Sequence, residues 1–178
     1  DELDGSHHDT ANLHDLRGAI LAQNGYLDDA VLSWQKALSL DPSRAGVLSN
    51  LGLVMENRDP RLARAYYEGG LAIAPNWWGT YHNYGAFLLR QGDLGGAQRL
   101  LRRATELNRG NALCQLQLGQ VQIELGEFDK AEEALLKALQ QADDPKTRDQ
   151  ALAELERLDN LELQLERRIG LTAREVSR

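Results

Sequence analysis

Residues 81–107 read "YHNYGAFLLRQGDLGGAQRLLRRATEL" and contain two apolar stretches with a glycine between them. In both stretches apolar residues recur three and four positions apart, which is the spacing of one face of an α-helix. Gly92 lies between the stretches, and glycine readily adopts the positive φ that ends a helix. This part of the chain therefore predicts two short helices that fold back against each other.

The same arrangement recurs along most of the chain. Glycines inside the first apolar stretch stand 34, 33 and 34 residues apart, and a bulky apolar residue follows each at a nearly constant distance in the second stretch. The glycines are Gly18, Gly52, Gly85 and Gly119, and the bulky residues are Trp34, Tyr67, Leu101 and Leu135. A small residue lets two helices approach closely while a bulky one fills the neighbouring hole. We therefore expect four helix pairs, with turns at Asn24-Gly25, Asp59-Pro60, Gly92 and Gly126.

The four units resemble the tetratricopeptide repeat, which has the same period and the same order of small and bulky residues. Two motifs carry the resemblance most plainly: Tyr81-x2-Tyr84-Gly85-x2-Leu88 and Leu48-x2-Leu51-Gly52-x2-Met55. It covers residues 11–44, 45–77, 78–111 and 112–143, and the first and fourth units are the less regular ones. The resemblance implies an all-α fold, a right-handed α-solenoid of antiparallel helix pairs.

The segments on either side of the four units differ in composition. Residues 1–10, "DELDGSHHDT", have almost no apolar side chains, and we interpret them as a mobile N-terminal segment or a scar of cloning. In residues 144–178, Leu152, Leu155 and Leu158 lie at helical spacing among charged residues, which predicts a capping helix. The C-terminal tail from Leu161 either folds back on this helix or contacts another protein or a second copy.

The resemblance also implies a binding surface. In tetratricopeptide proteins one face of each first helix lines a concave groove, and the same place in three units holds Asn50, Asn83 and Gln117. A carboxamide offers two donors and an acceptor, so a row of amides holds a peptide by its backbone. The alternative is that these amides are polar side chains that face solvent and bind nothing. Neighbouring positions that would contact the side chains of a partner are Leu53, Glu56, His82, Leu89, Arg90, Ile123 and Glu124.

Trp77 and Trp78 lie at the junction between the second and third units, where the repeat does not require tryptophan. Packing between units is one explanation for the pair. A surface hot spot for a partner is the other, because tryptophan is enriched at such sites. We expect Trp77 to be the more exposed of the two, and we expect Tyr81 and Tyr84 to be packing residues.

Composition excludes several classes of function. The chain has 27 acidic and 20 basic residues in 178, a formal net charge of −7, which disfavours nucleic acid and anionic lipid as partners. No apolar run approaches the ~18 residues needed for membrane insertion. The four histidines are scattered and the single cysteine, Cys114, is expected to be buried, so the sequence predicts no metal and no cofactor. No catalytic set of residues is present, and we do not expect an enzyme.

These patterns predict a scaffold or adaptor that binds a peptide or helix of a partner protein in its groove. The alternative is an assembly factor that self-associates, through the solenoid or through its C-terminal tail, and would form a homo-oligomer. The sequence predicts a soluble protein and does not decide between the cytoplasm and the periplasm.

Overall fold

All regular structure in the described residues is helical. In the computed structural model of the chain, the backbone is described for residues 2–176 and the side chains for residues 10–168. Within that range four helix pairs are followed by a long last helix, and no strand occurs. The helices are α1 Glu2–Gln23, α2 Leu27–Leu40, α3 Ala45–Met55, α4 Pro60–Ile73, α5 Trp78–Arg90, α6 Leu94–Leu107, α7 Ala112–Glu124, α8 Phe128–Gln141 and α9 Pro145–Val176.

The chain divides into two compact halves. The N-terminal half comprises residues 1–87 and the C-terminal half residues 88–178, so the division falls inside α5. The first helix begins at Glu2, and residues 2–10 of the segment that we expected to be mobile therefore belong to α1.

Turn chemistry separates the two helices of each pair. Gly25, Gly92 and Gly126 have φ values of 84°, 79° and 72°, which is the left-handed conformation expected of a glycine that ends a helix. The turn before α4 has no such glycine. Instead the carboxylate of Asp59 accepts hydrogen bonds from the backbone N–H groups of Arg61 and Leu62, and Pro60 occupies the first helical position.

Close packing within the N-terminal half follows the small and bulky pattern. The indole of Trp34 lies against Gly18, and a Cβ added there would come within 2.5 Å of its Nε1 atom. Gly52 contacts the ring of Tyr67 in the same way. A buried cluster joins α2 to α3, and its members are Ala30, Trp34, Ala37, Val47 and Leu51.

The core of the C-terminal half includes the first part of α9. Leu135 packs against Gly119, and the surrounding cluster contains Leu116, Ile123, Ala131, Leu135, Ala138, Ala151 and Leu158. The predicted capping helix is the first part of α9. The tail after Leu161 does not fold back on it, because α9 continues as one helix of 32 residues, about 48 Å long. Leu163 and Leu165 on this extension are exposed.

Candidate functional site

In the N-terminal half, one face of α3 carries an amide that has no hydrogen-bond partner among the described residues, and this amide lies beside an apolar cavity. Asn50 and Leu53 lie one turn apart, and the side chain of Leu53 is 51% exposed. They open on a cavity of about 380 Å³ lined by Ala19, Ala22, Leu27, Trp34, Asn50, Leu53, Val54 and Asn57. The carboxamide of Asn50 makes no hydrogen bond to any described residue, so both of its N–H donors and its oxygen are available to a ligand.

Asn83 occupies the corresponding place on α5, but its amide is already engaged. Its Nδ2 donates to the Oγ atom of Ser49 on α3 at 3.0 Å, and its Oδ1 lies 3.1 Å from Nδ1 of His82. The hydrogen bond to Ser49 joins α5 to α3, whereas the contact with His82 lies within α5. One N–H of the Asn83 amide makes no hydrogen bond to a described residue, so Asn83 has fewer free hydrogen-bonding groups than Asn50.

Trp77 lies on the same side of the N-terminal half as the two amides. Its indole lies against two glycines: a Cβ added to Gly79 would come within 2.8 Å of Cζ2, and a Cβ added to Gly46 would lie 3.5 Å from Cη2. Gly46 is one turn before Asn50 and Gly79 is one turn before Asn83, so both glycines share a helix face with an amide. The two glycines therefore form a seat for an indole that stays 38% exposed.

Trp78 is the less exposed tryptophan of the pair. It is half-buried, and its ring meets the ring of His82 edge-on, with 6.1 Å between the ring centroids. His82 in turn is buried at 8% exposure. The contact of Trp78 is therefore one of internal packing, whereas Trp77 presents a rigid aromatic surface to the outside.

Three residues that we assigned to the partner-facing surface belong to the interior. Glu56 is 8% exposed and accepts a hydrogen bond of 2.7 Å from the hydroxyl of Tyr67, so it holds that ring in place. Ile123 is 4% exposed and belongs to the core of the C-terminal half. His82 is buried against Trp78 and Asn83. Repeat register placed them next to the groove, but register alone does not show which neighbouring residues cover a side chain.

In the C-terminal half, residues of α9 contact the face of α7 that corresponds to the amide-bearing face of α3. Leu89 and Glu124 border a cavity of about 510 Å³ that is also lined by Gly92, Leu94, Gln120, Glu154 and Arg157. Arg157 donates to Glu124 at 2.6 Å and to Glu154 at 3.3 Å. The Glu124 carboxylate, more than any other group, raises the pKa of the Arg157 guanidinium.

Sequence reasoning missed Glu154 and Arg157, although a signal was present. Gln120 donates to Glu154 across 34 residues, and Glu124 meets Arg157 across 33 residues, which is the spacing of the repeat itself. The first part of α9 therefore lies where the first helix of a further unit would lie. Gln117 is half-buried, and its Oε1 atom has no hydrogen-bond partner among the described residues. Arg90 is exposed at the end of α5.

Nothing in the described part of the chain assembles a metal centre. No group of three or more His, Cys, Asp or Glu side chains there is placed to hold an ion. Cys114 is buried, and burial raises the pKa of its thiol to about 12, which suppresses the reactive thiolate. Among the same residues, no helix combines the length and the apolar character required to cross a bilayer.

Two family models match the chain. Residues 88–155 match a model of the tetratricopeptide repeat, and residues 18–58 match a second model described as TPR repeat. Together the two matches cover more than half of the sequence. No curated protein sequence matches.

Solved structures of low sequence identity share the fold. PilF of Pseudomonas aeruginosa is 24% identical with a TM-score of 0.77, over 87% of this chain and 72% of that one. A thermophilic TPR protein of Thermus thermophilus is 26% identical with a TM-score of 0.67, over 90% of this chain and 98% of that one. YrrB, described as a TPR protein with an unusual peptide-binding site, is 22% identical with a TM-score of 0.62, over 91% of this chain and 90% of that one. These likenesses show helix pairs stacked as in a tetratricopeptide solenoid.

Proposed function

Because the chain belongs to the tetratricopeptide repeat proteins, we propose that it binds an extended segment of a partner protein on the amide-bearing face of its N-terminal half. Tetratricopeptide domains generally act in protein–protein interaction. One observation carries the finer proposal. The unoccupied amide of Asn50 stands beside an apolar cavity and on the same side as the exposed ring of Trp77.

The three features have complementary tasks. The Asn50 carboxamide donates to a peptide carbonyl and accepts from a peptide N–H, so it recognises backbone rather than side chain. The cavity beside it, walled by Ala19, Ala22 and Val54, accepts an apolar side chain of the same segment. Trp77 supplies a flat surface for a second side chain. Two side-chain positions and one backbone contact therefore define the segment.

The site is pre-organised, which lowers the entropy lost on binding. The indole of Trp77 is held between two glycines, and the Asn83 amide is held by Ser49 and His82. Side chains that are already fixed lose little rotamer freedom when a partner arrives. YrrB, which has the same fold, carries a peptide-binding site, and this supports a peptide as the kind of ligand.

The test is affinity capture from native lysate followed by crosslinking to map the contact. Asn50→Ala removes the free amide, and Trp77→Ala removes the aromatic surface. We expect Asn50→Ala to weaken binding about 10- to 100-fold, the loss for a pair of hydrogen bonds at a buried site. Trp77→Ala is expected to weaken it by a similar factor, as truncation of an interface tryptophan does.

Gln35→Ala is the matched control, because Gln35 is an exposed amide on α2, the second helix of its pair. Circular dichroism must first show that all variants fold as the wild type does. A partner retained by wild type and Gln35→Ala but lost by Asn50→Ala supports the proposal. Equal capture by all of them, or crosslinks that avoid the N-terminal half, would contradict it.

A further inference from the structure

The first helix carries an apolar stripe that nothing in the described residues covers. Leu13, Leu16 and Ile20 lie three and four residues apart on α1 and are 63%, 60% and 51% exposed. Arg17 lies among them on the same face and forms no ion pair with any carboxylate of the described residues. The stripe borders a shallow cavity of about 330 Å³.

The positions that correspond to Leu13 in the other first helices show which kind of contact is made at this place. Val47, 34 residues after Leu13, is fully buried in the cluster that joins α3 to the preceding α2. Thr80 on α5 and Cys114 on α7 occupy the same place and are also fully buried. At these positions a first helix packs on the helix pair before it. Leu13 therefore occupies a place where the other first helices pack on a preceding pair, but α1 lacks such a pair among the described residues.

A second stripe of complementary character lies on α9. Leu152 and Leu163 are 48% and 45% exposed, and Glu156 and Asp159 lie between them on the same face. Leu152 lies 33 residues after Gly119, so it has the place in α9 that Gly119 has in α7. At that place in α7, Leu135 of the second helix packs against Gly119. Among the described residues, α9 has no second helix against this face. The two carboxylates form no ion pair there.

We propose that the α9 stripe of one copy packs on the α1 stripe of a second copy. In each stripe, apolar residues lie on both sides of a charged centre. The centre is one arginine on α1 and two carboxylates on α9. Joining two α1 stripes would bring Arg17 against Arg17, and joining two α9 stripes would bring carboxylates together. Like charges in contact are destabilising. Charge thus selects the head-to-tail pairing.

This contact differs in kind from the peptide site and does not depend on it. A head-to-tail contact uses a different surface on each copy, so a pair of copies still has one unpaired α1 stripe and one unpaired α9 stripe. Further copies add there, in an open chain or until a ring closes, and the mean mass rises with protein concentration. One helix face on each side makes a small interface, which gives weak association. We therefore expect the contact between copies to form where the local concentration of the protein is high.

Sedimentation equilibrium over a range of protein concentrations tests the contact by charge reversal. Wild type is expected to gain mass with concentration. Arg17→Glu and the double change Glu156→Arg/Asp159→Arg should each weaken association about tenfold or more, because repulsion replaces attraction. An equimolar mixture of the two variants restores opposite charges at every junction, so the mixture should associate as the wild type does.

Arg61→Glu makes the same change of net charge at an exposed arginine of α4, and Leu136→Glu alters an exposed leucine of α8. Both controls should associate like wild type, whereas Leu13→Glu should not. Three results would overturn the inference: a wild type that stays monomeric at every concentration, an Arg61→Glu variant as weak as Arg17→Glu, or a mixture that stays dissociated. A monomeric wild type would leave the α1 stripe to a different partner.

Discussion

Two glycine-to-alanine changes in one helix pair should shift stability in opposite directions. Gly52 lies in α3 and Gly69 in α4, both within helices, where alanine is favoured over glycine by about 1 kcal/mol. Helix propensity alone therefore predicts the same gain at both positions. The surroundings of the added methyl group decide otherwise.

At Gly52 an added Cβ would lie 2.8 Å from Cε1 and 2.9 Å from Cζ of Tyr67. That ring has no room to move. It is fully buried, its hydroxyl donates to Glu56 at 2.7 Å, and its face stacks on Tyr84 with 5.2 Å between centroids. Overpacking of this kind costs about 1–3 kcal/mol. After the propensity gain, Gly52→Ala should lose about 1 kcal/mol of unfolding free energy.

At Gly69 an added Cβ would lie 3.6 Å from Cδ1 of Leu48, which is an ordinary van der Waals contact, and no other described side chain comes within 4 Å apart from those of its chain neighbours. Gly69→Ala should therefore gain up to about 1 kcal/mol. Urea unfolding followed by circular dichroism measures both changes. Thermal unfolding should show shifts of about 2–4 °C per kcal/mol in opposite directions. If Gly52→Ala is as stable as wild type, or if both variants shift the same way, close packing of Tyr67 is not what requires glycine there.

Two further predictions concern titrating groups. Burial raises the pKa of the Cys114 thiol to about 12, so an alkylating reagent at pH 8 should modify it only as fast as the chain unfolds; rapid labelling of folded protein would show that the thiol is accessible. Asp144 accepts a hydrogen bond of 2.8 Å from the backbone N–H of Thr147 at the start of α9, which lowers the pKa of its carboxyl. Because the folded pKa lies below the unfolded one, the carboxylate stabilises the fold above its unfolded pKa and loses this effect as the pH falls through the lowered value. Asp144→Ala should thus lower Tm at pH 7, with a gap that narrows in strong acid; a gap independent of pH would argue against the cap.

The packing of the helices could be predicted in detail because it depends on local spacing. The interval between Gly18 and Gly52 placed a small residue opposite Trp34 and Tyr67, and the structure confirms both contacts. The three turn glycines have the positive φ that their position between apolar stretches predicted. In each case a turn or a close contact within one helix pair requires a particular residue type. The prediction therefore did not depend on contacts with other helix pairs.

The candidate site was only partly predictable. The sequence identified Asn50 and Trp77 separately. Only the structure shows that they lie on the same side, because the indole of Trp77 packs against Gly46 and Gly79. Glu56 shares its register with surface positions and yet is buried under Tyr67. Its role depends on a hydrogen bond between two helices, and helical periodicity contains no information about which side chain of a neighbour reaches across.

The sequence by itself determined the repeat, the all-α fold and the residues that let paired helices approach, because periodicity and steric size act within a few turns of chain. Tertiary structure alone decided which amides are free. Asn50 and Asn83 occupy the same place in their repeats, but only Asn83 meets Ser49 and His82. It also decided that α9 continues as one helix and that Arg157 meets Glu124. Such pairings depend on distances between helices, which the order of residues along one helix does not specify.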